Sequence, residues 1–530
     1  MPPRNRMPSK SASAARRDTA RKDTSRKGTG RNSSASNTSS DKPRMSVREH
    51  INDWKSRPLF DYHLLLIVVG LLTGIGLVMV LSASMALNAS SSSFSVFGTF
   101  LRQLVMVIVG LVVFWLVLRT RIETIRKWAL PLLLVSVALL VLVAIPGIGV
   151  GLEETGARSW LMIAGVTLQP SELAKIALAL WGSKILADRT RNATNVRELF
   201  GLFAFASVVV LVLVLIQRDV GMVASMSVVV VALAWFAGLP RWIVGFAIGF
   251  FGMVIVGFSV AASFRSARFR VYFDSLFGRF NDVRGDAYQS YQGFLSLAEG
   301  SMTGVGVGQS SAKWFYLPEA SNDFIFAIIG EELGFIGAGI VILLYAALGW
   351  VGLRIASKQA DPFLRLLAAT VTTATVVQAF VNIGYVVGLL PVTGLQLPLI
   401  SSGGTSAIVT LMAMGLLATC ARNEPEAISA MQTSGRPGID RILGIPEPTE
   451  YRPEQRYAEE LRSQREPQRF DDPDKYHAGS RANRDRGYRN PRDLRDSRDF
   501  RDSRSPRDSH VQRMSRPTSY RRSSRDWPER

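Results

Sequence analysis

Residues 63–84 read HLLLIVVGLLTGIGLVMVLSAS, an apolar run without a single lysine, arginine, aspartate or glutamate. An α-helix needs about 20 such residues to cross the hydrocarbon core of a bilayer. Nine further segments read the same way: 99–118, 128–145, 171–187, 200–216, 220–237, 242–262, 324–353, 364–390 and 405–421. The fourth and tenth are short, and the fifth and sixth are nearly fused at 217–219. The expected fold class is therefore an all-α polytopic membrane protein. It has about ten transmembrane helices and a long extracytoplasmic loop between helices 7 and 8.

Outside that core the composition changes. The chain has 530 residues, 48% of them hydrophobic, and a formal net charge of +20. Residues 1–60 are rich in Ser, Arg and Lys and read as a disordered basic tail, because they offer too little apolar surface to fold alone. Residues 61–421 form the ten-span core, with 263–323 as its long outer loop. Residues 422–530 end in repeated Arg-Asp pairs, from Arg492-Asp493 to Arg501-Asp502, and read as a second disordered tail. Positive charge beside a membrane suits anionic headgroups, and no module for reading nucleic acid is visible, so no nucleic-acid partner is expected. Cys420 is the one cysteine, and of four histidines only His63 touches the core. A disulfide, a cysteine-based metal site and a Ser-His-Asp hydrolase are thereby excluded from the core. The first apolar run starts some sixty residues in and has full spanning length, so no cleavable signal peptide is expected.

Lysine and arginine in short loops mark the cytoplasmic side. Arg119, Arg121, Arg126 and Lys127 follow the second segment, Arg189, Arg191 and Arg197 the fourth, and Arg354, Lys358 and Arg365 the eighth. Both tails are then cytoplasmic, and the odd-numbered loops face outward. The loop at 263–323 breaks the pattern by interleaving Arg265, Arg268, Arg270, Arg279 and Arg284 with Phe269, Tyr272, Phe273, Phe277 and Phe280. A loop of that length is functional more often than not, and the mixture suits the headgroup layer.

Ionisable groups near a membrane interior point to function by default. Pro170 can open a helix, and Glu172 and Lys175, three apart, then share a face, about one turn below the outer surface. A self-neutralising ion pair, with Glu172 favoured by the helix dipole, is the plainer reading. Arg158 and Trp160 precede that helix on the outer side. Trp160 suits an interfacial belt, whereas Arg158 offers a planar fork for phosphate. Further along the outer side lie Asp282, Tyr288-Gln289, Gln309, Lys313, Tyr316 to Glu319, Asp323 and the adjacent Glu331 and Glu332. Residues 304–308, Gly-Val-Gly-Val-Gly, follow no strand and read as a flexible turn rather than a nucleotide loop. Breaks at 390–394 and 401–406 are tolerated at membrane depth only where protein or a wet cavity covers them. The polar groups converge on one side.

Taken in order, these residues resemble the SEDS proteins (shape, elongation, division and sporulation), and within them the FtsW type. The marks are Asp61-Tyr62 with Gly76 to Val80 and Ser82 to Ser84; Gly156-Ala157-Arg158 with Trp160; and Gln169 to Glu172 with Lys175. They continue with Tyr316 to Ala320 through Asp323 to Ala327, then Glu331 to Gly334, and finally Gly388 to Gly394. The family's Gln-Pro-Asp-x-Gly-Thr appears as Gln217-Arg218-Asp219-Val220-Gly221-Met222, its His-Thr as Ser321-Asn322 and its Ser-Tyr-Gly-Gly as Ser401 to Gly404. The resemblance covers about 60–421.

It implies a peptidoglycan glycosyltransferase acting in septal wall synthesis. The substrate would be lipid II, a disaccharide-pentapeptide on undecaprenyl pyrophosphate, and the reaction an inverting glycosyl transfer. Asp282 is expected as the general base, counted back from Tyr288, with Asp274 and Asp286 as competitors. Arg158 and Lys175 would meet the pyrophosphate or hold the cavity, Glu172 would orient Lys175, and Gln289 and Lys313 would touch substrate. No cofactor is certain. A divalent cation, magnesium or manganese, on the pyrophosphate is left open. Expected partners are lipid II, a class B penicillin-binding transpeptidase, and other division proteins through the tails. Two alternatives stay open at this point, a flippase for the same lipid and a non-catalytic scaffold of the division machinery.

Overall fold

A computed structural model describes residues 59–89, 98–152, 156–163, 165–189, 196–261, 263–277, 279, 287–311 and 321–448. All ten expected segments are helical. They are α1 (Phe60–Ala89), α2 (Gly98–Arg119), α3 (Ile122–Ala144), α4 (Pro170–Arg189), α5 (Val196–Ile216), α6 (Val220–Phe236), α7 (Arg241–Ala261), α10 (Ile325–Lys358), α11 (Pro362–Val386) and α12 (Thr405–Arg422). Two helices, α8 (Ser263–Leu276) and α9 (Tyr288–Glu299), lie between α7 and α10. Two more, α13 (Pro425–Ser434) and α14 (Gly438–Ile442), follow α12. Among the described residues α1, α2, α3, α7, α10, α11 and α12 are long and apolar enough to cross a membrane, and the apolar stretches of α5 and α6 are shorter. The chain is a mostly helical polytopic membrane protein.

Contacts between helix ends give the threading. Asp61 at the start of α1 meets Arg354 (3.0 Å) and Lys358 (3.1 Å) at the end of α10. Arg126 at the start of α3 pairs with Asp361, which precedes α11, and lies 3.6 Å from Asp188 at the end of α4. At the other end of the bundle Thr405, opening α12, donates its hydroxyl to the Thr167 carbonyl ahead of α4 at 3.2 Å. Arg102 in α2 reaches the Thr167 hydroxyl at 3.3 Å. By these contacts α1, α3 and α11 run one way through the bundle and α2, α4, α10 and α12 the other. The ion pairs of Arg126, Arg354 and Lys358 gather at one end of the bundle, its basic end, and Arg102 lies at the opposite end.

The least apolar of the ten helices is among the deepest. α4 buries fifteen of its twenty residues. Only 6% of the apolar stretch of α7 is buried, against 78% for α12. This is membrane logic: Phe246, Phe250 and Met253 of α7 are exposed, which hydrocarbon tolerates, whereas charges on α4 must be hidden from it.

The structure departs from the sequence reading in three places. First, the core is not purely helical. Strands β1 (Gly149–Val150), β2 (Trp160–Ile163) and β3 (Val166–Leu168) form a small antiparallel sheet in that order, with Val150 opposite Trp160 and Leu161 opposite Leu168. Strands of two to four residues are too short for period-two alternation to register.

Second, the glycine run at 304–308 is an ordered plug. α10 breaks at Gly334 (φ 67°, ψ −169°), and the preceding loop fills the break. Val305 and Gly306 donate their N–H groups to the carbonyls of Glu331 and Glu332, both at 3.0 Å. Phe335 and Ile336 donate to Ser301 (2.9 Å) and Met302 (3.2 Å). Backbone groups opened inside a membrane must be paired by protein, and here they are. A Cβ on Gly334 would lie 2.3 Å from the Gly304 nitrogen, so only glycine fits.

Third, the chain stays ordered past 421, where the C-terminal tail was expected to begin. Arg422 pairs with Asp440 at 2.9 Å, Tyr62 donates its hydroxyl to the same carboxylate at 2.9 Å, and Ile445 is fully buried. The apolar residues of 425–445 are too sparse to read as a span, but enough to dock on one. The rest of that tail, from 449, and the N-terminal tail through 58 lie outside the described residues. Within the long loop, 263–276 and 288–299 are helical, and residues 278, 280–286 and 312–320 lie outside the described set.

Candidate active site

The end of the bundle opposite Arg126, Arg354 and Lys358 gathers the irregular segments, and each is placed by a specific bond. The sheet leads into α4 through Gln169 and Pro170. The turn joining α5 to α6 has Arg218 in the left-handed region (φ 63°), which ends α5 and lets Asp219 cap α6. The Asp219 carboxylate accepts the Met222 N–H at 3.0 Å, a standard N-cap. The same carboxylate accepts the Ser159 hydroxyl at 2.8 Å and the Gln169 amide at 3.3 Å. The Arg158 N–H donates to the Gln217 carbonyl at 2.9 Å. One short turn thus fixes both flanks of the sheet.

Asp219 lies in that turn, outside both helices it joins. Burial pushes its carboxyl above the ordinary carboxylate range, bonds from Met222 and Ser159 pull it back, and the nearby charge of Glu172 adds to the rise. Gly221, just beyond, lets α6 approach the loop after α11, since a Cβ there would sit 2.7 Å from the Thr393 carbonyl oxygen. Gln378 of α11 donates to the Gln396 carbonyl (3.0 Å) in that loop. Asn382 donates to the carbonyls of Asp323 (2.9 Å) and Leu395 (2.7 Å). Ser401 and Ser402 donate their hydroxyls to Asn322 and Ser321, both at 2.7 Å.

Under this lid of loops lies the charged pair. Lys175 Nζ is 2.7 Å from Glu172 Oε2, and their side chains are 8% and 5% exposed. Lys175 also donates to Gln378 Oε1 at 2.7 Å, and the Ser225 hydroxyl of α6 donates to the same oxygen at 3.2 Å. α4, α6 and α11 therefore meet around one ammonium. Ser171 Oγ, Gln217 Oε1 and Thr393 Oγ1 are buried nearby without a hydrogen-bond partner among the described residues, groups that a hydrated or substrate-filled interior satisfies.

Of the residues singled out from the sequence, the structure brings Glu172 and Lys175 together as one face of one helix. Arg158 is half-buried at the rim, its side chain packed on Gly149 and its guanidinium 3.4 Å from the Ala144 carbonyl at the end of α3. Gln289 is half-buried in the first turn of α9. Asp274 lies in α8 and, with Arg270, Phe269, Phe273 and Val260, lines an open cavity of about 390 Å³. Asp282, Asp286 and Lys313 fall outside the described residues. No group of three or more His, Cys, Asp or Glu side chains that could hold a metal ion lies among the described residues. Sequence reasoning missed Gln378 and Ser225. Their signal was present, as polar side chains inside apolar helices, but nothing in a linear pattern says which helix they face.

The chain matches the family model described as cell cycle protein, for FtsW, RodA and SpoVE, over residues 62–426. It is 43% identical over 406 residues to a Mycobacterium tuberculosis protein called probable peptidoglycan glycosyltransferase FtsW, covering 77% of this chain and 76% of that one. It is 35% identical over 361 residues to stage V sporulation protein E of Bacillus subtilis, covering 68% of this chain and 96% of that one. Its fold is similar to a chain in a structure described as structural coordination of polymerization and crosslinking by a peptidoglycan synthase complex. The TM-score is 0.53 and the identity 26%, over 68% of this chain and 97% of that one. The chain belongs to the FtsW, RodA and SpoVE family of cell cycle proteins.

Proposed function

We propose that this protein is a peptidoglycan glycosyltransferase that polymerises lipid II into glycan strands during septal wall synthesis. The observation that carries the reading is the buried Glu172–Lys175 pair, roofed by irregular loops and shared among three helices. A buried ion pair does not stabilise a fold better than well-packed apolar residues, so its presence calls for another use. The name of the relative at 43% identity supplies the reaction class.

The chemistry is a displacement at the anomeric carbon. The sugar 4-hydroxyl of one lipid II attacks the anomeric carbon of another with inversion. A C–O bond forms, the bond to the lipid pyrophosphate breaks, and the hydroxyl proton passes to a carboxylate. Asp282 is the base in this reading, and a positioned base contributes about 10²–10⁴-fold. The departing pyrophosphate needs no proton but does need fixed positive charge. Lys175 and Arg158 supply that charge, and Glu172 holds Lys175 in place. The basic end lies in the cytoplasm, the lid faces outward, and a class B penicillin-binding transpeptidase cross-links the product. The test is a single substitution, Asp282→Asn, in purified protein given lipid II. Loss of glycan polymer at normal folding is expected, and undiminished polymer would reject Asp282 as base.

A further inference from the structure

The residues after α12 carry a surface that the bundle does not cover. Trp115 lies four residues before the end of α2, about 6 Å along the helix axis. Its indole N–H donates to the Leu443 carbonyl at 2.8 Å. The segment following α14 is thereby held level with the last turn of a membrane-crossing helix. Leu116, next to Trp115, is 49% exposed and faces away from the bundle.

At that same level α14 is two-faced. Asp440 is fully buried against Arg422 and Tyr62, and Ile445 is fully buried. Between and beside them Ile439, Leu443 and Ile442 project outward, Ile442 being 86% exposed. Leaving large aliphatic side chains in water forgoes about 25 cal/mol for each Å² that could be buried. Arg119 stacks on the Trp115 ring at 5.0 Å, and Arg441 is exposed beside Ile442. Aliphatic side chains flanked by arginines, at the level of an interfacial tryptophan, match the boundary between acyl chains and anionic headgroups.

We propose that residues 438–445 are an interfacial lipid anchor. Ile439, Ile442 and Leu443 enter the acyl boundary beside α2, and Arg119 and Arg441 lie at the level of anionic phosphates. Asp440 fastens the anchor to α12 through Arg422 and to α1 through Tyr62. The chain beyond 448 therefore leaves from the membrane surface at a fixed point on the bundle.

The test uses the full chain with Cys420→Ala, carrying a nitroxide on Ile442→Cys, in vesicles of phosphatidylethanolamine and phosphatidylglycerol. Phe250→Cys on the exposed face of α7 serves as the acyl-chain reference. The label at 442 is expected to collide several-fold more with oxygen, which partitions into acyl chains, than with a water-soluble nickel chelate, as at 250. A nickel-dominated signal at 442 would overturn the proposal. So would shielding from both reagents, which would mean that a second copy or another protein covers the face. In a second measurement, Ile442→Asp is expected to raise tryptic cleavage after Arg441 several-fold in the same vesicles. Unchanged cleavage there would contradict an anchoring role.

Discussion

At the scale of single residues, Glu172 and Lys175 are buried together, with side chains only 5% and 8% exposed. Removing one partner of such a pair leaves an uncompensated charge, which costs about 3–5 kcal/mol. Replacing both by neutral residues of similar size removes the penalty along with the attraction. Lys175→Met is therefore expected to destabilise the detergent-solubilised protein by roughly that amount. Adding Glu172→Gln should recover most of the loss. Thermal unfolding of the two single variants and the double variant measures this, and losses that simply add would show that the two groups do not interact. The presence of this pair on one helical face was legible from the spacing of Glu172 and Lys175 alone. The third partner was not, because Gln378 lies 203 positions away from Lys175 in the chain and no local pattern encodes that approach.

At the scale of elements, the break in α10 decides how the long loop meets the bundle. Thirty-four helical residues would extend about 51 Å if straight, well beyond a bilayer core, and the break at Gly334 divides them. Gly334→Ala would put a Cβ 2.3 Å from the Gly304 nitrogen and 2.7 Å from Met302 in a left-handed conformation, so a loss of about 3 kcal/mol or more is expected. Gly339→Ala, five residues on in the same helix, meets nothing within 4 Å and is expected to be neutral or stabilising by up to about 1 kcal/mol. Equal effects of the two, read as unfolding temperatures, would contradict the plug. The ten helices themselves were legible because apolar length is a direct consequence of bilayer thickness. The small sheet, the plug at 301–306 and α13 and α14 were not. Each is stabilised by pairing with distant backbone or by docking on finished helices, as Ile445 docks, rather than by its own periodicity.

At the scale of the whole molecule, the ion pairs that tie helix ends together gather at one end, and that end has a pH signature. Glu424, after α12 and outside it, has its carboxyl pushed up from 4.5 to about 8, by burial first and by the charge of Asp61 next, with Lys358 opposing. A carboxyl that binds its proton more tightly folded than unfolded contributes stability that is present below pH 4.5 and lost as pH rises toward 8. Glu424→Gln is expected to flatten the decline in unfolding temperature between those values. An unchanged slope would remove Glu424 from the account. The opposite end carries the polar lid and the buried pair, and the central claim is that this pair serves glycan polymerisation rather than folding alone. Its most direct test is glycan chain formation from lipid II by proteoliposomes of the Glu172→Gln, Lys175→Met double variant, after its unfolding temperature has been shown to be near wild type. The account predicts no polymer from the double variant beside abundant polymer from the wild type, and wild-type polymer from the double variant would contradict it.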